Sequence, residues 1–206
     1  MRGLFIVFEG ITGSGKKTHI KLLTEKLKEL GRDVIVISFP DFESEIARLT
    51  KKPDLDNFTV SLLYAADRSR HQERIRSTLE KGGVVITDRY CYSNFAFQSA
   101  RGVPLDWLMQ IERNIIKPDL VFLIDAPIEV SMKRVQQANI EDFTKNDILD
   151  RIQRERQNLE KTRENFLLLS RSDLNSKWFV IDGSLDIENI RQQIWEAVSK
   201  ELGKQS

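Results

Sequence analysis

Near the start of the chain stand Gly10-Ile11-Thr12-Gly13-Ser14-Gly15-Lys16-Lys17-Thr18. The segment follows a short apolar run and precedes an amphipathic helical pattern, so we expect it to turn a strand into a helix. Glycines allow a tight turn and let backbone N–H groups approach phosphate oxygens, while the helix N-terminus adds partial positive charge. Lys16 adds a full charge at the same place. The segment is typical of a phosphate-binding loop (P-loop), and we expect nucleotide phosphates to bind there.

One position of the loop departs from the usual pattern. A Ser or Thr normally follows the lysine, and its hydroxyl binds Mg²⁺. Here that position is Lys17, and Thr18 comes one residue later. Successive helix residues point about 100° apart, so Thr18 does not simply take over the position. Two alternatives stay open: other groups hold the metal, or Lys17 supplies positive charge in its place.

Outward from the loop, short apolar runs alternate with amphipathic helical patterns. The runs are 4–8, 34–37, 84–86, 120–124 and 179–181. Most of their residues are β-branched or aromatic, which indicates strands buried on both faces of a parallel sheet. The alternation predicts a three-layer α/β/α P-loop NTPase fold with a parallel five-stranded sheet and a small lid segment.

The helical patterns set further expectations. We expect one helix over 59–81, ended by Gly82-Gly83, and an amphipathic C-terminal helix over 187–202. The two histidines, His19 and His71, fall in helical patterns and are expected to be partly exposed. We expect residues 1–206 to form one domain with a lid at about 136–150, because 206 residues are too few for two independent cores.

The composition excludes several classes of protein. The 32 basic and 31 acidic residues give a net charge of +1, which argues against nucleic-acid and membrane-surface binding. The single cysteine, Cys91, permits no intramolecular disulfide and fits a reducing cytosol. We find no signal-peptide pattern and no apolar run near the ~20 residues of a membrane span. We therefore expect a cytoplasmic protein that binds small molecules.

A second polar motif, Asp88-Arg89-Tyr90, ends the third predicted strand. Ligands bind at the carboxyl ends of strands in open α/β sheets. Asp88 is suited to hold Mg²⁺ and its waters, and Arg89 to clamp a phosphate with two hydrogen bonds. Glu9, directly after the first strand, is a further candidate for the metal site, or else a general base.

Several short motifs occur in a fixed order along the chain. They are Phe8-Glu9-Gly10 with the P-loop, Phe39-Pro40, Leu63-Tyr64-Ala65-Ala66-Asp67-Arg68, Asp88-Arg89-Tyr90 with Ser93-Asn94, Lys117-Pro118-Asp119-Leu120, and Asp150-Arg151-Ile152. On these motifs the chain resembles thymidylate kinases along nearly its whole length. The resemblance implies transfer of the γ-phosphoryl group of ATP to dTMP, with Mg²⁺ as cofactor, in a homodimer.

The resemblance also implies roles for residues around the dTMP base and sugar. Tyr64 matches the aromatic ring that stacks on thymine, and Arg68 the donor to a base carbonyl. Asn94 matches the residue that reads the N3 edge of the base. Phe97 matches the wall beside the sugar 2′ position, where an apolar ring would disfavour a ribose hydroxyl.

Phosphate and ATP contacts follow from the same resemblance. Phe39 and Arg89 match positions around the acceptor phosphate. Arg134 and Gly183 match positions on either side of the adenine, with the P-loop holding the phosphates. Arg151 matches a catalytic arginine beside the lid, with Arg154 and Arg156 as neighbouring candidates.

The chain also departs from the family pattern. Neither the P-loop nor the segment 136–147 carries an arginine. Members of the family usually carry arginine in one of these two segments. Thr12 and Gln153 stand where acidic residues are common.

Phosphate oxygens are largely ionised at pH 7 because their second pKa is about 6, so the reaction needs no general base. Alternatives are a kinase for another monophosphate such as dUMP, a deoxynucleoside kinase with Glu9 as base, and a nucleotide-binding regulator.

Overall fold

Five parallel strands form one sheet in the computed structural model, which describes residues 2–137, 142–172 and 176–203. The strands are β1 Leu4–Glu9, β2 Val34–Ser38, β3 Val84–Asp88, β4 Leu120–Asp125 and β5 Lys177–Asp182. Their order is β2-β3-β1-β4-β5, and every neighbouring pair is parallel. The predicted parallel five-stranded sheet is confirmed.

Helices cover both faces of this sheet. They are α1 Lys16–Glu29, α2 Glu45–Leu49, α3 Asn57–Ser69, α4 Gln72–Glu80, α5 Cys91–Ala100, α6 Leu105–Ile111, α7 Ile128–Gln137, α8 Asp142–Arg154, α9 Arg156–Ser170 and α10 Ile187–Gly203. Phe5 and Val7 of β1 pack with α4, α5, α6 and α9 on one face. Leu4, Ile6 and Phe8 pack with α1 and α10 on the other. The three-layer α/β/α arrangement is therefore confirmed.

Burial differs between central and edge strands. β1 and β3 are buried throughout and β4 nearly so, as the continuous apolar runs predict. β2 and β5 lie at the edges, where Val36 is 41% and Val180 47% exposed. The prediction that all five strands are buried on both faces is wrong for these two, since an edge strand has a neighbour on one side only.

The predicted helix over 59–81 is two helices. α3 begins earlier, at Asn57, because the Asp56 side chain accepts from the backbone N–H of Thr59 at 2.7 Å. The chain then breaks between α3 and α4, where His71 Nε2 lies 3.2 Å from Asp41 Oδ2. This tertiary contact has no signal in the helical periodicity. The predicted stop at Gly82 is confirmed, since α4 ends at Glu80 and Gly82 has a φ of 79°.

Both histidines are buried, which corrects the expectation of partial exposure. His19 is 3% and His71 8% exposed. The C-terminal helix is confirmed as α10, with Ile190 and Val198 buried against the sheet.

Two helices flank the expected lid. α7 ends at Gln137 and α8 begins at Asp142, so 138–141 lie outside the described residues. The described parts of segment 136–150 are thus helical. Among the described residues, no helix has the length and apolar character needed to cross a bilayer.

Candidate active site

The P-loop has the predicted position between β1 and α1. Gly10 and Gly13 have φ values of 139° and 81°, in the region that glycine alone adopts freely. A Cβ atom on Gly13 would lie 2.6 Å from the backbone oxygen of Ser131, so a larger residue does not fit there. The loop is therefore shaped by its glycines, as the motif predicts.

Lys16 points back into this loop. Its Nζ donates to the carbonyl oxygens of Gly10 and Ile11, both at 2.9 Å. Burial, together with the nearby Arg89 guanidinium, lowers the pKa of Lys16 to about 7. A phosphate in the loop would accept from the same ammonium group, and its negative charge would raise this pKa.

Glu9 is fully buried beneath the start of α5. Its carboxylate accepts from the backbone N–H groups of Tyr90 at 2.8 Å and Ser93 at 3.0 Å, and from the Ser93 hydroxyl at 2.5 Å. Burial raises the pKa of Glu9 to about 7, against the influence of Arg89 and of these hydrogen bonds. Three of about four lone-pair sites are thus used within the protein. This leaves little capacity for a metal ion or for general base catalysis.

A cavity of about 250 Å³ opens beside the P-loop. All six residues predicted to surround dTMP line it: Phe39, Tyr64, Arg68, Arg89, Asn94 and Phe97. They come from the end of β2, from α3, from the end of β3 and from α5. The fold therefore brings together side chains that are up to 58 positions apart in the chain, between 39 and 97.

One end of the cavity carries a buried network around Glu112. Arg68 donates to the Glu112 carboxylate through Nε at 3.1 Å and through a second guanidinium nitrogen. Asn94 Nδ2 donates to Glu112 Oε1 at 3.1 Å and to the Ser61 carbonyl at 3.2 Å. Asn94 Oδ1 has no hydrogen-bond partner among the described residues. This end thus offers a cationic donor and a free amide acceptor.

Arg89 connects the cavity to the P-loop. Its backbone φ is 69°, unusual for a residue other than glycine. One guanidinium nitrogen donates to the Gly10 carbonyl and to the Ser93 hydroxyl, both at 3.0 Å. The guanidinium carbon lies 5.0 Å from the ring centre of Phe97. Phe39, which is buried, packs edge-on against His71 at 5.3 Å.

Asp88 directly precedes Arg89 and is not among the described residues that line the cavity. It is 8% exposed, and its Oδ1 has no partner among the described residues. It lines an open groove that also contains Lys17 and Ser38. Lys17 and Thr18 are exposed on α1. The site therefore has one buried carboxylate oxygen without a partner among the described residues, and a lysine that lines the same groove.

Arg134 spans the P-loop and the loop after β5. It donates to the Ser14 carbonyl at 2.9 Å and to the Leu185 carbonyl at 3.4 Å. Gly183 packs closely here, since a Cβ atom on it would lie 2.9 Å from Ala126 Cβ. Arg134 thus contacts the loop that begins at Gly183, after β5.

The arginines beside the lid are only partly described. Arg151 belongs to α8, but its side chain lies outside the described residues. Arg154 is exposed. Arg156 is engaged at the surface with Glu129 and with Glu160, the latter at 3.0 Å.

Sequence reasoning missed four polar residues of the cavity region. Gln98 lines the cavity, is 1% exposed and has an unpartnered Oε1. It lies four residues after Asn94, so helical spacing could have found it. Arg101 and Glu155 form an ion pair of 2.5 Å that also lines the cavity. The positions of this pair and of Glu112 at the cavity depend on tertiary packing. No pattern in the neighbouring sequence indicates them.

Comparison with known proteins gives a consistent result. A family model described as thymidylate kinase matches residues 8–194. A protein named probable thymidylate kinase from Pyrococcus abyssi (strain GE5 / Orsay) is 38% identical over 214 positions, which cover 98% of each chain. A thymidylate kinase from Plasmodium falciparum (isolate 3D7) is 33% identical over 97% of this chain and 91% of its own. The chain therefore belongs to the thymidylate kinase family.

Proposed function

We propose that this protein transfers the γ-phosphoryl group of ATP to dTMP, giving dTDP and ADP. The main support for this proposal is that the acceptor cavity and the P-loop adjoin each other. Arg89 lines the acceptor cavity and donates to Gly10 of the P-loop at 3.0 Å. A nucleotide phosphate in the cavity would therefore lie next to phosphates held by the loop.

Phosphoryl transfer depends mainly on positioning and charge neutralisation. Lys16 and the P-loop N–H groups of 10–18 would hold the donor phosphates, and Arg89 would hold the acceptor phosphate. Arg89 has donors besides the nitrogen bound to Gly10 and Ser93, and these suit a bidentate contact. The attacking oxygen is already ionised, so the reaction needs no general base. The three hydrogen bonds that the Glu9 carboxylate accepts therefore do not hinder transfer.

The base would lie at the Glu112 end of the cavity. Tyr64 would stack on thymine, Arg68 would donate to a ring carbonyl, and Asn94 Oδ1 would accept from N3–H. Phe97 and Phe39 would enclose the sugar and the acceptor phosphate. Uracil presents the same edge as thymine, so dUMP is a second candidate acceptor.

Mg²⁺ fits the residues present, with Asp88 as the protein ligand. Mg²⁺ usually takes one or two carboxylates and otherwise water and phosphate oxygens. The unpartnered, buried Asp88 oxygen suits that role, directly or through water, whereas Glu9 is already engaged. Bound Mg²⁺ would neutralise charge on the β- and γ-phosphates. The neighbouring ammonium of Lys17 could add to this neutralisation.

Further parts of the proposal concern the ends of the donor site. Arg134 would lie against the adenine, and Gly183 would allow close packing beneath it. We also propose that 1–206 form one domain, that 136–150 close as a lid, and that Arg151 reaches the transferred phosphate. Lid closure would exclude water and so suppress ATP hydrolysis.

We further propose that the protein is a cytoplasmic homodimer. Large apolar side chains on α3 and α6 support the dimer: Phe58 is 45%, Leu62 49%, Leu105 40% and Met109 40% exposed. Phe58 packs edge-on against Trp107 at 5.1 Å, so the two helices present a common face. Such contiguous apolar faces are typical of protein–protein interfaces.

An acceptor panel tests the proposed function. ADP formation from ATP and Mg²⁺ is measured with each of six acceptors in turn: dTMP, dUMP, dCMP, dGMP, the ribonucleotide analogue of dTMP, and thymidine. We expect rapid turnover with dTMP, reduced turnover with the ribose analogue, and none with thymidine. Turnover with thymidine but not with dTMP would contradict the proposal, and so would tight ATP binding without any transfer.

A further inference from the structure

Glu112 occupies a position behind the base end of the cavity. It follows α6 directly and is 0% exposed. Its carboxylate accepts two hydrogen bonds from Arg68 and one from Asn94, so it contacts both residues that face the base edge. A buried carboxylate with three such bonds holds both of its neighbours in one orientation.

These contacts determine which way the Asn94 amide faces. A carboxylate and a carbonyl oxygen can only accept hydrogen bonds. Since Asn94 Nδ2 lies 3.1 Å from Glu112 Oε1 and 3.2 Å from the Ser61 carbonyl, the nitrogen must be on that side. Oδ1 is thereby left as an acceptor without a partner among the described residues, on a side chain that lines the cavity. Arg68 is fixed next to it as a donor that has no acceptor form.

This pattern discriminates between pyrimidines. Thymine and uracil present an N3–H donor beside the O4 acceptor. Cytosine presents an N3 acceptor beside the N4 amino donor, which is the opposite pattern. With Asn94 offering an acceptor and Arg68 a donor, thymine and uracil complement the site. Cytosine would face Asn94 Oδ1 with its N3 acceptor and Arg68 with its N4 amino donor.

We propose that Glu112 is a positioning residue that determines base specificity, because it locks the Asn94 amide and the Arg68 guanidinium against cytosine. The inference rests on the proposed phosphorylation of dTMP. Without the carboxylate, only the Ser61 carbonyl still holds Asn94 Nδ2, so turning the amide to present Nδ2 to the N3 atom of cytosine costs less. Glu112 would then act on specificity without touching the reacting atoms.

The test compares kcat/KM for dTMP, dUMP and dCMP in the wild type and three variants. Glu112→Gln keeps the shape but removes the charge. Glu112→Asp keeps the charge but withdraws the carboxylate from Arg68 and Asn94. Glu188→Gln is the matched control, since Glu188 also pairs with an arginine, Arg191 at 2.7 Å, but on the exposed face of α10.

We expect the dTMP to dCMP ratio of kcat/KM to fall at least about tenfold in Glu112→Gln, which corresponds to one lost or reversed hydrogen bond. Glu112→Asp should show a smaller fall, and Glu188→Gln none. The dTMP to dUMP ratio should stay constant throughout, because both bases share the edge in question. If the Glu112 substitutions only loosened the cavity, both the dTMP to dCMP ratio and the dTMP to dUMP ratio would change.

Equal losses for dTMP and dCMP in the Glu112 variants would overturn the inference and give Glu112 a purely structural role. If Glu112→Gln does not fold, the ratio in Glu112→Asp decides by the same criterion. A wild type that does not phosphorylate dTMP would contradict the proposed function itself. An active wild type with unchanged ratios in the variants would contradict the role of Glu112 alone.

Discussion

The Lys16 ammonium donates to two carbonyl groups of its own loop. Its Nζ lies 2.9 Å from the oxygens of Gly10 and Ile11, and its pKa is lowered to about 7. The positive charge is thus only partly present at neutral pH. A bound phosphate would favour the charged form, so nucleotide binding and protonation of Lys16 should be linked.

We predict that ATP binding at pH 8 takes up close to one proton. The free lysine is mostly neutral at pH 8, and phosphate raises its pKa, so binding draws a proton from the buffer. Affinity should accordingly fall as pH rises above 7, by no more than about tenfold per pH unit. Titration calorimetry in buffers of different ionisation enthalpy measures the uptake. It should disappear in Lys16→Met and persist in Lys17→Met, and a wild type without uptake would contradict the assignment.

The buried Arg68–Glu112 ion pair should contribute to the stability of the fold. The side chains are 3% and 0% exposed. Removing one partner of a buried pair leaves an uncompensated charge, which typically costs about 3–5 kcal/mol. Arg68→Ala should lower the free energy of unfolding in urea by about this amount. Arg191→Ala, on the exposed face of α10, should change it little, and similar effects of the two substitutions would be inconsistent with this account.

Residue types and spacing were sufficient to predict the P-loop and the strand-end motif at Asp88. The family resemblance supplied the six cavity residues, and the fold does bring these six together. Glu112 was not predictable, because a glutamate after a short helix is usually solvated. Its burial follows from the packing of α6 against α3 and α5, and this packing leaves no pattern in the local sequence.

At the scale of elements, the segment between β2 and α2 forms one wall of the acceptor cavity. Phe39, Pro40 and Phe42 line the cavity. Asp41 fixes the segment, since its N–H donates to Asp67 Oδ2 at 2.8 Å and its carboxylate contacts His71 at 3.2 Å. The break between α3 and α4 brings His71 to this position. The break between α3 and α4 thus also helps to hold the wall of the acceptor cavity.

We predict that Asp41→Asn weakens acceptor binding but not donor binding. The Asp41 carboxylate pairs with Arg70 and contacts His71. Once it is neutralised, these two residues hold the wall less firmly, so the KM for dTMP should rise several-fold, about 1 kcal/mol. The KM for ATP should not change. Steady-state kinetics with each substrate varied in turn measures both. Glu43→Gln removes an exposed carboxylate from the same segment and should have no effect, and equal shifts in both KM values would refute the prediction.

Elements with strong periodicity were predicted well, and their junctions were not. All five strands and helix α10 were expected from apolar patterns, because buried strands and amphipathic helices leave a regular signature. The α3–α4 break coincides with a contact between His71 and Asp41, about 30 residues away in the chain, and such a contact leaves no local pattern. Edge exposure of β2 and β5 depends on strand order, which the patterns do not contain.

At the scale of the whole molecule, the exposed apolar face of α3 and α6 predicts self-association. The wild type should have a solution mass of twice the 23.9 kDa of one chain. Leu62→Glu places a charge in this face and should give a monomer at micromolar concentration, because a buried charge without a partner is costly. Leu168→Glu changes an equally large side chain on α9 that is 64% exposed, and should stay dimeric. Light scattering after size-exclusion chromatography gives the masses, and a monomeric wild type would rule out the dimer.

Direct transfer of phosphate between two nucleotides is the central claim, and labelled ATP tests it most directly. The protein is incubated with dTMP, Mg²⁺ and ATP that carries ³²P in the γ position, and the products are separated by ion-exchange chromatography. We predict that the label appears in the β-phosphate of dTDP, with one dTDP formed for each ADP. Release of the label as inorganic phosphate, with dTMP left unchanged, would contradict the account.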